Sequence, residues 1–327
     1  MNTKGYEFQS CFAPYLEQFI NEKRSLGFKY DHREWDLKHF DAFCVEEGIT
    51  EPNLTNELIK KWGTLREGEA LATCSNRTSA LRQFAMFLVP LGIEAYIPSN
   101  FYKASKTIAH ILSIEELKSF FENVDGYIPG IKAPCFCRLA MEYRVIYRLI
   151  ACCGLRISES RHLQWNDVDC EKGTLRILQS KGHKDRLVYM ATDLNELIKN
   201  YADVLRNQYN CYSDWVFPAR DPCKCLSNGT LDRRFQIFWS MTPYSENCDK
   251  NPTVHSFRYT FVVKRMNQWM LEGIPLKEML PFLSKYLGHT SPSETFYYYH
   301  QVAEAFRIIR ERDKTGKHVI PEVNEDE

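Results

Sequence analysis

The chain has no run approaching the ~18 consecutive apolar residues of a membrane-spanning helix. Its first ten residues, "MNTKGYEFQS", lack the basic-then-apolar order of a signal peptide. Both absences lead to the expectation of a cytoplasmic protein with no membrane partner. Zinc-binding cysteine pairs are missing too. The chain has 12 cysteines, but Cys135/Cys137 and Cys223/Cys225 are C-x-C, and Cys152 and Cys153 are adjacent. None makes a C-x-x-C with a matching second pair. Scattered thiols in a chain too large to need staples read as reduced cysteines. No internal repeat is present, and no low-complexity segment beyond the acidic C-terminal end. Net charge is also absent, with 42 Lys+Arg against 42 Asp+Glu.

That balance hides an uneven distribution. Residues 1–110 carry net −1, residues 111–320 net +5, and the final "PEVNEDE" net −4. A modest basic excess in the larger part permits a polyanion partner without demanding one. At 327 residues there is room for two cores.

Residues 1–100 read as a bundle of about four helices. "FAPYLEQFINEKRSLG" and "REWDLKHFDAFCVEEG" each place apolar residues at helical spacing and close on Gly27 and Gly48. The first helix is expected to begin near Phe8, leaving no extra N-terminal domain. "TNELIKKWGTL" and "SNRTSALRQFAMFLVPLG" supply the other two, the last ending at Pro90 and Gly92. Residues 101–110 then serve as a linker. Ser113 with Glu116 has capping-box spacing and opens a second domain, 111–312, before an acidic tail, 313–327. This domain is mixed. A helix runs from about Cys137 to Cys152, and "GTLRIL" and "RLVYM" read as two short strands around a polar turn. Two more helices hold "HSFR" and, opened by Ser291, Pro292 and Glu294, the stretch "TFYYYH". The fold class is therefore mainly α with a small β-sheet.

Four polar clusters fall in the second domain. "CCGLRISES" sets Arg156 just past a helix end, and "QSKGHKDR" sets Lys181 at a hairpin turn. "HSFR" puts His255 and Arg258 at i and i+3, on one helix face. "LGHTSPSETFYYYH" adds His289 and three tyrosines. Singly, each has a plain structural reading: a solvated charge, a surface pair, an aromatic core face. Together they make an inventory for phosphoryl transfer without a metal. Guanidinium forks match phosphate oxygens, lysine and histidine handle protons, and a phenol can form a covalent intermediate.

The segment "LIACCGLRISESRHLQWNDVDCEKGTLRILQSKGHKDRLVYM" resembles the tyrosine recombinases, the phage integrase family. Their catalytic domains carry "TGLR-x-SE-x-x-x-L-x-W-x-D" followed by a "GKG-x-K-x-R" hairpin. "HSFRYTF" is similar to their "H-x-L-R-H-T-F", and "LGHTSPSETFYYYH" to their "LGH…T-x-x-Y-x-H". The likeness covers about residues 110–310. Ser180 departs from the first hairpin glycine, and Tyr259 stands where the family often has a second histidine.

The resemblance implies a helical, SAM-like core-binding domain and a catalytic domain that close on double-stranded DNA as a C-shaped clamp. It implies that Arg156 and Arg258 clamp the scissile phosphate and that His255 hydrogen-bonds it and assists proton transfer. Lys181 would protonate the leaving 5′-oxygen, His289 would help hold the phosphate, and Glu159 would support Arg156. The nucleophile lies nine residues after the "LGH" histidine and two before a second one, which selects Tyr298 and leaves Tyr297 and Tyr299 as packing residues on a continuing helix. No cofactor or metal is implied. The expected activity is site-specific recombination through a 3′-phosphotyrosine, integrating or excising a mobile element. A monomer or dimer would bind each site and a homo-tetramer the paired sites, with an accessory directionality factor. The stretch "QVAEAFRIIRERD" would dock on a neighbouring protomer or pack on its own chain. The rival readings are a type IB-like topoisomerase and a non-catalytic DNA-binding accessory protein.

Overall fold

The computed structural model describes residues 6–98, 109–178, 185–248 and 250–298. The chain divides into two compact units, Met1–Thr107 and Ile108–Glu327.

The first unit contains α1 (Ala13–Ser25), α2 (Asp31–Glu46), α3 (Asn56–Gly63) and α4 (Leu71–Leu88). Helix α1 starts five residues later than Phe8, because Phe8 and Cys11 lie in an irregular lead-in, ending in a turn, that packs against the core. There the backbone amides of Gln9 and Ser10 donate to the buried Asp41 carboxylate, at 2.9 and 3.0 Å, which replaces helical pairing. Phe12, Phe19, Phe40, Trp62 and Phe84 form the centre, with ring centroids 5.4–6.0 Å apart in tilted and edge-on pairs. Arg77 is buried and held by Glu69 at 2.7 Å, and its guanidinium lies over the Trp62 ring.

The second unit is built around α6 (Pro134–Cys153), which follows α5 (Ile114–Asp125). The expected capping box opens α5: the Glu116 amide donates to Ser113 Oγ at 3.1 Å, and the Ser113 amide to Glu116 at 2.7 Å. Tyr143, Ile146, Tyr147, Leu149 and Ile150 of α6 are buried. The Tyr147 hydroxyl donates to the Leu231 carbonyl at 2.7 Å, which satisfies the polar atom that its burial would orphan. After α7 (Ile157–Arg161) come β1 (Val168–Asp169), β2 (Thr174–Ile177) and β3 (Arg186–Tyr189). The sheet is antiparallel in the order β1-β2-β3, so a third strand, too short to show a period, joins the two expected. Leu175 pairs with Val188, both buried, while Ile177 pairs with Arg186. Helices α8 (Thr192–Asn207), α9 (Asn228–Ser240), α10 (Val254–Leu271), α11 (Leu276–Leu287) and α12 (Pro292–Phe296) complete the unit. Helix α10 packs on α6 through Phe257 and on α11 through Val262, Val263 and Met266.

All 12 cysteines are free. Among the described residues, no helix is long and apolar enough to cross a membrane, and no three His, Cys, Asp or Glu side chains gather as metal ligands.

Candidate active site

Helix α6 ends at Gly154, whose φ is +63°. A Cβ there would stand 2.5 Å from Cδ1 of Phe261, so the position demands glycine for its backbone angle and for the neighbouring ring. The left-handed residue turns the chain so that Arg156 becomes the residue just before α7, facing Glu159 one turn on. The Arg156 amide donates to Glu159 Oε2 at 2.9 Å and its Nη1 to Oε1 at 2.8 Å. Arg186, at the start of β3, grips the same carboxylate with both Nη atoms, at 3.0 and 2.8 Å, while its Nε donates to the Tyr286 carbonyl. Arg258 Nη1 lies 3.9 Å from Glu159. Burial alone would raise the Glu159 carboxyl. Hydrogen bonding and charge from Arg186, with the Arg156 amide and guanidinium, overcome it and hold the group at about 2. Three guanidiniums therefore share one anion, leaving the cluster strongly positive.

Arg258 has no exposed surface. It donates to the Gly154 carbonyl and to the Leu287 carbonyl, each at 2.7 Å. Arg156 also reaches Leu287 O, at 3.3 Å. Burial and repulsion from Arg156 lower Arg258 to about 10, with attraction to the Tyr298 phenol and Glu159 opposing. It stays charged at neutral pH.

Helix α11 closes on Gly288, at φ +68°, where a Cβ would stand 3.1 Å from Arg186 Nη1. His289 follows, 6% exposed. Its Nε2 lies 3.0 Å from Arg258 Nη2 and its Nδ1 2.6 Å from Thr295 Oγ1. Arginine only donates, so Nε2 accepts, and the ring proton sits on Nδ1 and is donated to Thr295. Burial and the charges of Arg258, Arg156 and Arg186 pull His289 down to about 3, which keeps this tautomer neutral. His255 is lowered to about 4 by the surrounding protein and by Arg258 and Arg156, although the residue as a whole is exposed.

Tyr298 is half-buried beside these groups. Its ring lies 5.4 Å from that of His289 and 4.4 Å from that of Tyr259. Two expectations about this stretch change. The Ser291 side chain bonds Ser293 Oγ at 2.6 Å instead of capping α12, so no capping box forms with Glu294. Helix α12 ends at Phe296, and the Tyr298 amide donates to Thr295 O at 3.1 Å, a tighter turn than an α-helix continuing through the tyrosines. Tyr297 is half-buried.

The structure thus brings together Arg156, Glu159, His255, Arg258, His289 and Tyr298. Lys181, Tyr299 and "QVAEAFRIIRERD" lie outside the described residues. Sequence reasoning left Arg186 without a role, although it is the last residue of the hairpin motif and its signal was available there. The Leu287 carbonyl had no signal at all, since a main-chain acceptor is chosen by backbone path and not by side chain.

Guanidiniums gathered around a phenol, with neutral histidines to manage protons, suit a class of protein that holds and opens a phosphodiester. Residues 112–305 match the Phage integrase family. The chain therefore belongs to that family, the tyrosine recombinases, enzymes that cleave and rejoin DNA. It is 25% identical over 319 residues to the tyrosine recombinase XerC of Halalkalibacterium halodurans, covering 94% of this chain and 97% of the relative. Its fold is similar to XerH site-specific recombinase bound to a palindromic difH substrate, with TM-score 0.64, 19% identity and coverage of 91% and 83%. A lambda integrase dimer bound to a core site gives TM-score 0.61 at 17% identity, covering 89% of this chain and 95% of that one.

Proposed function

We propose that this chain is a site-specific recombinase whose nucleophile is Tyr298. The observation that carries the reading is the set of arginines organised by Glu159 with the Tyr298 phenol beside Arg258. Arg156 and Arg258 hold the scissile phosphate, and His289 helps hold it through Arg258, whose guanidinium its Nε2 orients. The Tyr298 oxygen attacks phosphorus while its proton passes to neutral His255. The P–O5′ bond breaks, Lys181 protonates the departing 5′-oxygen, and a 3′-phosphotyrosine remains. Attack by a 5′-hydroxyl reverses the step and releases the tyrosine, so the bond energy is conserved and ATP is not required. Positive charge supplied by arginine takes the place that a metal would fill. The helical first unit contributes to DNA binding. Recombination uses a homo-tetramer on two sites, in the cytoplasm, for integration or excision of a mobile element with an accessory directionality factor.

The test is covalent capture. Nicked suicide duplexes with a randomised core are incubated with the protein, and DNA that becomes covalently attached is amplified and sequenced. We expect adducts in EDTA, mapping to Tyr298 by peptide mass. Tyr298→Phe should bind the selected DNA normally and give no adduct, while Tyr297→Phe should still give one. An adduct on Tyr298→Phe, or strict magnesium dependence, would overturn the reading.

A further inference from the structure

The nucleophile assigned above lies just past a short helix. Helix α12 has five residues, and Tyr298 lies two past its end, with its amide on Thr295 O. A single misplaced turn would carry the phenol away from phosphorus, and near-attack geometry tolerates little error. Something other than α12 must fix the ring.

Tyr259 is placed to do so. It follows Arg258 on α10, an 18-residue helix anchored by buried Phe257, Val262 and Val263. Its ring centroid is 4.4 Å from that of Tyr298, with the planes tilted by 37°. This is shorter than the 5.4 Å contact between Tyr298 and His289. On its other neighbour, the Tyr259 ring meets His255 edge-to-plane, at 5.1 Å and 87°. One aromatic side chain thus touches both the group assigned to take the proton and the group assigned to give it. No hydrogen bond is needed for this, because ring packing alone sets distance and tilt.

We infer that Tyr259 is a positioning residue, whose ring holds the Tyr298 ring in register with Arg258 and His255. The inference rests on Tyr298 being the nucleophile. The ring carries the role, and the hydroxyl is dispensable. An aromatic pair of this kind is worth about two- to tenfold in rate.

The experiment measures single-turnover adduct formation at saturating DNA, on a duplex selected with the wild-type protein. Tyr259→Phe should cleave within about twofold of wild type, and Tyr259→Leu, which keeps bulk without a ring, about tenfold more slowly. DNA affinity and the thermal midpoint of Tyr259→Leu should stay near wild type, separating positioning from folding. A second substrate carries sulfur at the bridging 5′ position, a leaving group that departs without protonation. The Tyr259→Leu defect should persist on it, because attack and not leaving-group protonation is impaired. Equal rates for Tyr259→Leu and wild type overturn the inference, as does a defect that sulfur removes. Slow cleavage by Tyr259→Phe assigns the role to the hydroxyl and overturns it as well. Failure of the wild-type protein to form any adduct through Tyr298 would instead overturn the nucleophile assignment.

Discussion

Glu159 is the residue on which the site's charge balance turns. Its folded carboxyl binds a proton less readily than in the unfolded chain, at about 2 against 4.5. The contribution to stability is therefore complete above about pH 4.5 and is lost as pH falls toward 2, about 3 kcal/mol in all. Glu159→Gln keeps the shape and removes the anion, leaving Arg156, Arg186 and Arg258 facing one another. It should cost about 3–5 kcal/mol in urea denaturation at pH 7, with most of the loss absent at pH 2.5. His255 and His289 act in the same direction higher up. Both are depressed, to about 4 and about 3 from 6.5, so the unfolded chain takes up their protons first. Stability should begin to fall below about pH 6.5 and continue downward through the folded values. Replacing His289 with Gln should reduce by one proton the uptake on unfolding between pH 6 and 4.5, measured from the pH dependence of the urea transition. An unchanged proton count would remove His289 from the neutral, buried role described for it.

At the scale of elements, the site depends on two helix ends finished by left-handed glycines. Gly154→Ala adds a methyl at φ +63° against the Phe261 ring, and the same residue's carbonyl receives Arg258. The substitution should destabilise by at least about 2 kcal/mol and should slow adduct formation more than that loss explains, because the Arg258 acceptor shifts. Gly92→Ala, at φ +77° where a Cβ meets nothing within 4 Å, is the matched control for denaturation, carrying the backbone cost without the ring clash. Elements were legible where local chemistry decides them. Ser113 and Glu116 announced α5, and the apolar spacing around Phe19 and Phe40 announced α1 and α2. Ser291 with Pro292 and Glu294 carried the same kind of signal, yet Ser293 offered a nearer partner for the serine hydroxyl. The strand β1 was hidden by its length of two residues, since alternation needs more to be seen. Of the site, the charged side chains were readable by type and order. Arg186 could be read as a motif letter but not as Glu159's second clamp, because a contact spanning 27 residues is a product of the fold.

For the whole molecule, each unit has its own buried core, one centred on Phe84 and the other on Phe120. Residues 108–327 produced alone should therefore unfold cooperatively and retain the site. They should still form adduct on the selected duplex, but only at much higher protein concentration if the first unit binds DNA as proposed. Fewer phosphate contacts also mean a shallower fall of affinity with salt, measurable as the slope of log K against log salt concentration. Unchanged affinity and slope would mean that the first unit does not touch DNA.

The Leu287 carbonyl receives both Arg156 and Arg258. No codon specifies that oxygen. Point mutation can change the side chain at 287 yet cannot delete the acceptor, so this part of the arrangement is shielded from ordinary genetic drift. Sequence comparison is blind to it for the same reason, and a saturation screen would score the position only by how well each side chain fills its buried site. Backbone chemistry can reach it. Semisynthesis that replaces the amide between Leu287 and Gly288 with an ester would weaken the acceptor while every side chain stays in place, and would also remove the Gly288 N–H bond to Lys285. The leucine side chain and its backbone oxygen can then be weighed separately, as two heritable traits of which only one is written in the gene at that position.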